Sequence, residues 1–291
     1  MLAMQSRARG FIAHGVSACA GCGLELAIRN VLDVLGKNTV IVIPPGCAAL
    51  FSGYGKETVT AIPGFQGNLE NTAAYAAGIK AGFEMQGRDV QVLGFAGDGA
   101  TVDIGIQSLS GALERGDRIL YVCYDNEAYM NTGIQGSGST PLDAWTTTTP
   151  GGKSVYRKDM AGIVAAHRIP YLATASVGYI DDLRRKVEKA KEATRTGPAY
   201  LHIHIPCPTG WGTAPEKSIE AARLAVQTRC WPLYEITGGV NYKLTVQVAE
   251  AKPVSEYLKL QKRFSGLTAA QLENFQKSVE EEYARLMTRM S

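Results

Sequence analysis

Between residues 39 and 205, short β-branched runs alternate with stretches of helical period, and no other feature of this sequence restricts its fold as much. The runs at 39–43, 89–96, 118–124, 171–175 and 199–205 are bounded by Gly, Pro or polar residues and read as buried strands. Stretches at 24–35, 72–85, 104–113, 159–167 and 181–193 repeat their apolar residues at helical spacing. Strand-helix alternation predicts an α/β fold, a parallel sheet with helices on both faces, because parallel neighbours need a crossover long enough to form a helix. Beyond Cys207 the pattern changes to helices and polar connections. These include 215–227 and an amphipathic segment with Leu272, Phe275, Val279 and Leu286 on one stripe. The expected division is 1–240, carrying the sheet, and 241–291, a C-terminal helical extension that packs against a partner. There is no internal repeat or low-complexity segment. The longest loop, 134–156, is rich in Gly, Ser and Thr, and a loop of that length in a compact domain is usually functional or mobile.

Charge removes several function classes. The 291 residues include 30 basic and 27 acidic side chains, a formal net charge of +3, with no block of like charge. Nothing electrostatic favours nucleic acid or an anionic membrane. The first residues carry Arg7 and Arg9 without the apolar run of a signal peptide, and no stretch approaches the roughly 18 apolar residues of a membrane span. A cytoplasmic location is expected. Six cysteines in a reducing compartment point to metal or redox chemistry rather than disulfides.

In open parallel sheets ligands sit beyond the carboxyl ends of the strands, so the loops after Ile43, Ala96 and Tyr124 are the places to look. One strand ends in Gly97-Asp98-Gly99-Ala100, and the next ends in Tyr124-Asp125-Asn126-Glu127-Ala128-Tyr129, with residues 100–125 between Gly99 and Asn126. A diphosphate needs its charge balanced. A hard divalent cation held by one carboxylate, one amide oxygen, one backbone carbonyl and phosphate oxygens does this in near-octahedral geometry. Asp98, Asn126 and the Ala128 carbonyl match that set. Gly97 and Gly99 let the backbone approach phosphate, and a helix expected to begin near Asp103 turns its N-terminus to the same anion. A lone Gly-Asp-Gly is a common turn, but the acidic turn on one strand and the Asn on the next together resemble the thiamine diphosphate motif.

Cys19-Ala-Gly-Cys22 is followed by Cys47 in Pro45-Gly46-Cys47 and by Cys207 in Pro206-Cys207-Pro208-Thr209-Gly210-Trp211. Four thiolates, two in a Cys-x-x-Cys turn, can close a tetrahedral zinc site or hold a four-iron cluster, and ligand count does not separate the two. Because Cys47 follows the first strand, it belongs on the same sheet edge as Asp98 and Asn126, a position useful to an electron acceptor. Cys123, inside an apolar run, and Cys230, before Trp231, read as small buried hydrophobes. His202 and His204 alternate on one strand face and read as core residues, while His14 and His167 have no partner in sequence. Glu25, Glu70 and Glu127 lie near the loops and read as helix-surface or strand-end residues.

Taken in order, Cys-Ala-Gly-Cys-Gly, Gly-Asp-Gly-Ala-Thr-Val-Asp-Ile-Gly, Tyr-Asp-Asn-Glu-Ala-Tyr-Met-Asn-Thr-Gly-Ile-Gln and Pro-Cys-Pro-Thr-Gly-Trp resemble the β subunit of pyruvate:ferredoxin oxidoreductase over residues 10–240. The resemblance implies a [4Fe–4S] cluster on Cys19, Cys22, Cys47 and Cys207. It implies Mg2+ on Asp98, Asn126 and Ala128, with thiamine diphosphate against Gly46, Gly97, Gly99 and Ala100. Asn131 takes the place of an asparagine close to the thiazolium and substrate. The implied reaction is oxidative decarboxylation of a 2-oxoacid, with coenzyme A capturing the acyl group and ferredoxin receiving electrons. An α subunit must supply the pyrimidine-binding half and its glutamate, and γ and ferredoxin-like δ subunits can complete a hetero-oligomer. Gly136, where a larger and commonly basic residue often stands, and the flanks in Pro44-Pro45-Gly46-Cys47-Ala48-Ala49 depart from the usual pattern. Those departures concern the substrate: pyruvate is expected, with branched-chain and aromatic 2-oxoacids and oxalate as alternatives. Two rival classes are a zinc-stapled, non-oxidative thiamine diphosphate decarboxylase or synthase and a silent scaffold. The complete set of Asp98, Asn126 and four cysteines argues against the scaffold.

Overall fold

A computed structural model describes residues 10–13, 15–52 and 58–290. Arg7, Arg9 and His14 lie outside the described residues. Eight strands form one sheet: β1 Thr39–Ile43, β2 Gly64–Gln66, β3 Gln91–Gly97, β4 Leu120–Asp125, β5 Tyr171–Ser176, β6 Ala199–His204, β7 Tyr234–Thr237 and β8 Asn241–Leu244. Their order is β2-β1-β3-β4-β6-β5-β7-β8. The first six in that order pair in parallel, while β7 and β8 add antiparallel. The helices are α1 Gly23–Leu35, α2 Ala49–Ser52, α3 Thr72–Met85, α4 Ile106–Glu114, α5 Met160–Ala165, α6 Ile180–Ala193, α7 Pro208–Trp211, α8 Ser218–Gln227, α9 Val254–Leu258 and α10 Ala269–Thr288.

The parallel strands are apolar on both sides because both sides are covered. Alternate residues of β1 separate accordingly: Ile41 and Ile43 join the core beneath α1 and α6, whereas Val42 joins the core beneath α3, α4 and α5. A fully buried side chain of this size stabilises the fold by roughly 1.5–3 kcal/mol relative to exposure. A third apolar cluster gathers Trp211 of α7 with Val254, Tyr257, Phe264, Phe275 and Val279 of the C-terminal segment. The expected stripe of α10 is thus buried within the chain itself.

Two expectations need correction, and one strand went unread. The segment after Cys207 is not only helices and polar connections, since β7 and β8 form a hairpin there across Gly238-Gly239. Residue 240 lies in that turn, so the sheet runs across it. Helical winding begins not near Asp103 but at Gly99, in a π turn over Gly99–Asp103 closed by Ile104 N–H donating to the Gly99 carbonyl at 3.3 Å. Strand β2, three exposed residues on the sheet edge, was too short to register as a run. No helix among the described residues is long and apolar enough to cross a membrane.

Candidate active site

The register places Gly97 beside Tyr124, so the chain leaves β3 and β4 at the same level and Asp98 meets the Asn126–Ala128 turn. All three residues are buried. The Asn126 side-chain oxygen faces the Ala128 carbonyl at 2.9 Å and Asp98 Oδ1 at 3.1 Å; exchanging its amide oxygen and nitrogen would turn both contacts into hydrogen bonds. Adjacent ligands of an octahedral Mg2+ with 2.1 Å bonds stand about 3.0 Å apart, and both contacts of the Asn126 oxygen match that spacing. The other Asp98 oxygen accepts from Ser137 Oγ at 2.5 Å. Burial, reinforced by the charge of Asp125, pushes the Asp98 carboxyl well above the usual range. A cation would offset both influences.

Aromatic rings line this strand end. A Cβ on Gly97 would lie 3.1 Å from the Tyr124 ring, and one on Gly46 would lie 3.3 Å from its hydroxyl. One on Gly99 would meet the Tyr129 ring at 2.3 Å, and Tyr129 Oη donates to the Gly99 carbonyl at 3.1 Å. Backbone and ring are therefore packed too closely for any side chain at Gly99. Ala100 is buried in the π turn, and Asn131 is exposed in the turn bridged by Tyr129 and Gln135.

Cys19 is exposed, and Cys22, Cys47 and Cys207 are half-buried. Burial pushes the Cys47 thiol up to about 12, and the charges of Cys207, Cys22, Cys19 and Asp98 add to the shift. Cys207 is pushed up to about 11 by burial, against a hydrogen bond from Gly210 N–H and with contributions from Cys22 and Cys19. Cys47 thus senses the other three cysteines and Asp98, and Cys207 senses Cys22 and Cys19. Among the described residues no three His, Cys, Asp or Glu side chains converge tightly enough to hold a single metal ion, so the thiols form a looser group. Tyr124 stands between the two centres, its hydroxyl accepting from Ala48 N–H at 3.1 Å. Cys123 and Cys230 are buried in apolar clusters.

Comparison with known proteins decides the family. The C-terminal TPP-binding domain of thiamine pyrophosphate enzymes matches residues 45–203. Pyruvate synthase subunit PorB of Methanothermobacter thermautotrophicus is 51% identical over 93% of this chain and 95% of its own length. The chain belongs to the β-subunit family of the 2-oxoacid:ferredoxin oxidoreductases. It is an oxidoreductase subunit of the pyruvate synthase type. Ketoisovalerate oxidoreductase subunit VorB of Pyrococcus furiosus is nearly as similar, 47% identical over 94% of this chain and 91% of its own. Among solved structures, a 2-oxoglutarate:ferredoxin oxidoreductase from Magnetococcus marinus shares the fold, with a TM-score of 0.60 and 19% identity over 73% of this chain and 79% of that one.

For a β subunit of this family the sequence reading misplaced one carboxylate. Glu127 does follow the end of β4, but it is buried and forms an ion pair with Arg263, which is equally buried. Glu25 is a half-buried helix residue paired with Arg29, as expected of a helix surface. Asp125 turns inward, accepting from Glu127 N–H at 2.9 Å and pairing with His202 at 2.7 Å. Burial opposes its charge, but the His202 contacts hold its carboxyl below the usual range. His204 stacks among Trp211 and Trp231, and burial pushes its imidazole down to about 3. His167 has a partner that sequence did not show, Ser110 Oγ at 2.9 Å. Sequence reasoning also missed Ser137 and Lys153, and it named Trp211 only as part of the motif around Cys207. Lys153 Nζ donates to the Ser137 and Thr140 carbonyls at 2.9 and 2.7 Å, bracing the turn that presents Ser137. The only sequence signal for these two was the Gly, Ser and Thr content of the 134–156 loop.

Proposed function

We propose that this chain serves an enzyme that oxidatively decarboxylates pyruvate to acyl-CoA and CO2 and passes electrons through a [4Fe–4S] cluster to ferredoxin. The observation that supports the reading is that the Cys47 thiol, half-buried just beyond β1, lies within reach of the charges of Cys207, Cys22, Cys19 and Asp98, while the Asn126 amide oxygen stands 2.9 and 3.1 Å from the Ala128 carbonyl and Asp98 Oδ1. A structural metal gains nothing from that position, whereas an electron acceptor must have it. When bound, thiamine diphosphate supplies the electron sink that decarboxylation of a 2-oxoacid requires.

The chain's own residues bind and orient. Asp98, Asn126 and the Ala128 carbonyl would hold Mg2+, with Ser137 fixing the Asp98 rotamer. Gly46, Gly97, Gly99 and Ala100 would present backbone to the diphosphate, and Asn131 would reach substrate from its exposed turn. Cys19, Cys22, Cys47 and Cys207 would hold the cluster. Coenzyme A is the acyl acceptor. An α subunit supplies the pyrimidine half, γ and ferredoxin-like δ subunits complete the complex, and the cytoplasm is the site of action. Residues 1–240 carry the cofactors, and the exposed face of α10 in 241–291 is left for a partner.

Metal analysis of the assembled complex, followed by turnover on a panel of 2-oxoacids, tests this. The expected result is iron and acid-labile sulfide equivalent to one [4Fe–4S] cluster per β chain and faster oxidation of pyruvate than of 2-oxoisovalerate or phenylglyoxylate. Zinc without iron would overturn the cluster, and preference for 2-oxoisovalerate would overturn the substrate.

A further inference from the structure

The C-terminal segment reaches into the cofactor loop through one buried arginine. Arg263 pairs through Nη2 with Glu127, and its Nε and Nη2 donate to Gln261 Oε1 at 2.9 and 2.7 Å. Its guanidinium lies 4.0 Å above the Trp211 ring. Trp211 in turn donates from Nε1 to the Asn126 backbone carbonyl at 2.9 Å and closes helix α7, whose N-cap is Cys207. One side chain therefore touches both the turn that carries Asn126 and Ala128 and the turn that carries Cys207.

Glu127 itself holds a left-handed backbone, φ 66°. A non-glycine residue persists there only where its surroundings over-determine it. The orientation at Glu127 decides where the Asn126 side chain and the Ala128 carbonyl point, since it sits between them. Arg157 and His204 also face the Glu127 carboxylate, each at 3.8 Å. Neither links the carboxylate to Trp211 as a cation: Arg157 lies over Trp231 instead, and His204, although it stacks against Trp211, is kept uncharged at neutral pH by its burial.

We propose that Arg263 is a positioning residue that sets the cofactor-metal turn and the Cys207 turn in one register, so that the C-terminal segment governs both centres. This rests on the roles proposed above for Asn126, Ala128 and Cys207. Planar stacking and a forked donor set are what the position requires, and lysine offers neither.

The test uses the assembled complex carrying Arg263→Met, Arg263→Lys, the double variant Glu127→Gln with Arg263→Met, and Asp98→Ala as a reference. Mg2+-dependent binding of thiamine diphosphate is read by calorimetry, cluster content by iron analysis, and stability by melting temperature. Loss of a residue that orients metal ligands typically weakens metal binding roughly 10–100-fold. Arg263→Met should fall in that range and lose iron. Arg263→Lys, which keeps the charge and the fold, should bind about tenfold more weakly. The double variant removes the buried charge from both sides and should recover melting temperature without recovering metal affinity. Wild-type affinity and iron content in the Arg263 variants, with only the melting temperature lowered, would overturn the proposal. So would recovery of both properties in the double variant. Unchanged binding in Asp98→Ala would instead remove the metal-site reading on which the proposal stands.

Discussion

Gly21→Ala should damage the thiol site although it leaves every cysteine in place. Gly21 lies in the Cys19–Cys22 turn with φ +72°, and a Cβ there would sit 2.3 Å from the Pro215 carbonyl oxygen and 2.8 Å from Pro215 Cα. Carbon and carbonyl oxygen normally approach no closer than about 3.3 Å, so the overlap is about 1 Å and involves backbone on both sides. A left-handed conformation costs an L residue about 1–2 kcal/mol, and enforced overpacking adds about 1–3 kcal/mol. The total, about 2–5 kcal/mol, is a large part of a typical stability of 5–15 kcal/mol. Relief requires the turn to move away from the segment that joins α7 to α8, and with it Cys19 and Cys22 move from Cys207. Gly15→Ala separates the two contributions, because Gly15 has φ +80° and, among the described residues other than its chain neighbours, no atom lies within 4 Å of its would-be Cβ. Iron analysis and thermal melting of both variants in the assembled complex should show Gly15→Ala with full iron and a small loss of stability, and Gly21→Ala depleted of iron. Equal iron content and equal melting temperatures in the two would refute the steric reasoning.

Cys47→Ser or Cys207→Ser should lower iron content and abolish electron transfer, since serine is the poorer ligand for a soft metal; Cys123→Ala should cost packing alone, and loss of iron in that variant would show that a ligand had been misassigned. Glu235 joins β7 to α6 and β5, accepting from Lys189 at 2.7 and 2.8 Å and from Tyr171 at 3.0 Å. Burial opposes its charge, but these donors hold its carboxyl below the ordinary range. Its contribution is thus present above the unfolded pKa of about 4.3 and lost as pH falls through the folded value. Urea titrations between about pH 6 and pH 3 should show wild type losing more stability than Glu235→Gln, and parallel curves would contradict this. The purified chain should not consume 2-oxoacid until a subunit bearing the pyrimidine-binding half is added; turnover of pyruvate by this chain alone at the rate of the complex would disprove a two-chain active site.

The parallel sheet was legible because its strands are apolar on both faces and its crossovers have helical period, two signals that agree along residues 39–205. The β7–β8 hairpin carried a readable signal too. Tyr234-Glu-Ile-Thr and Asn241-Tyr-Lys-Leu flank Gly238-Gly239, the turn chemistry of a hairpin, but it lay where helices were expected. The π turn at Gly99 was not legible, because its extra residue per turn shifts α4 without changing the apolar pattern. Asp98 and Asn126 could be proposed because they follow strand ends, Cys47 and Cys207 because they follow β1 and β6, and Cys19 and Cys22 because they form a Cys-x-x-Cys turn before α1. The Glu127–Arg263 pair could not, since its members stand 136 positions apart and neither residue type announces burial. Ser137 is intermediate: the loop that holds it was conspicuous, but nothing in its composition selects that serine.

The central claim is that a thiamine diphosphate site and a redox cluster share this strand end. Electron paramagnetic resonance of the anaerobically assembled complex, frozen after addition of pyruvate and coenzyme A without external reductant, tests it most directly. The account predicts the signal of a reduced [4Fe–4S] cluster, dependent on thiamine diphosphate and Mg2+ and absent in Cys47→Ser. A complex that consumes pyruvate with no change at any iron centre would contradict it.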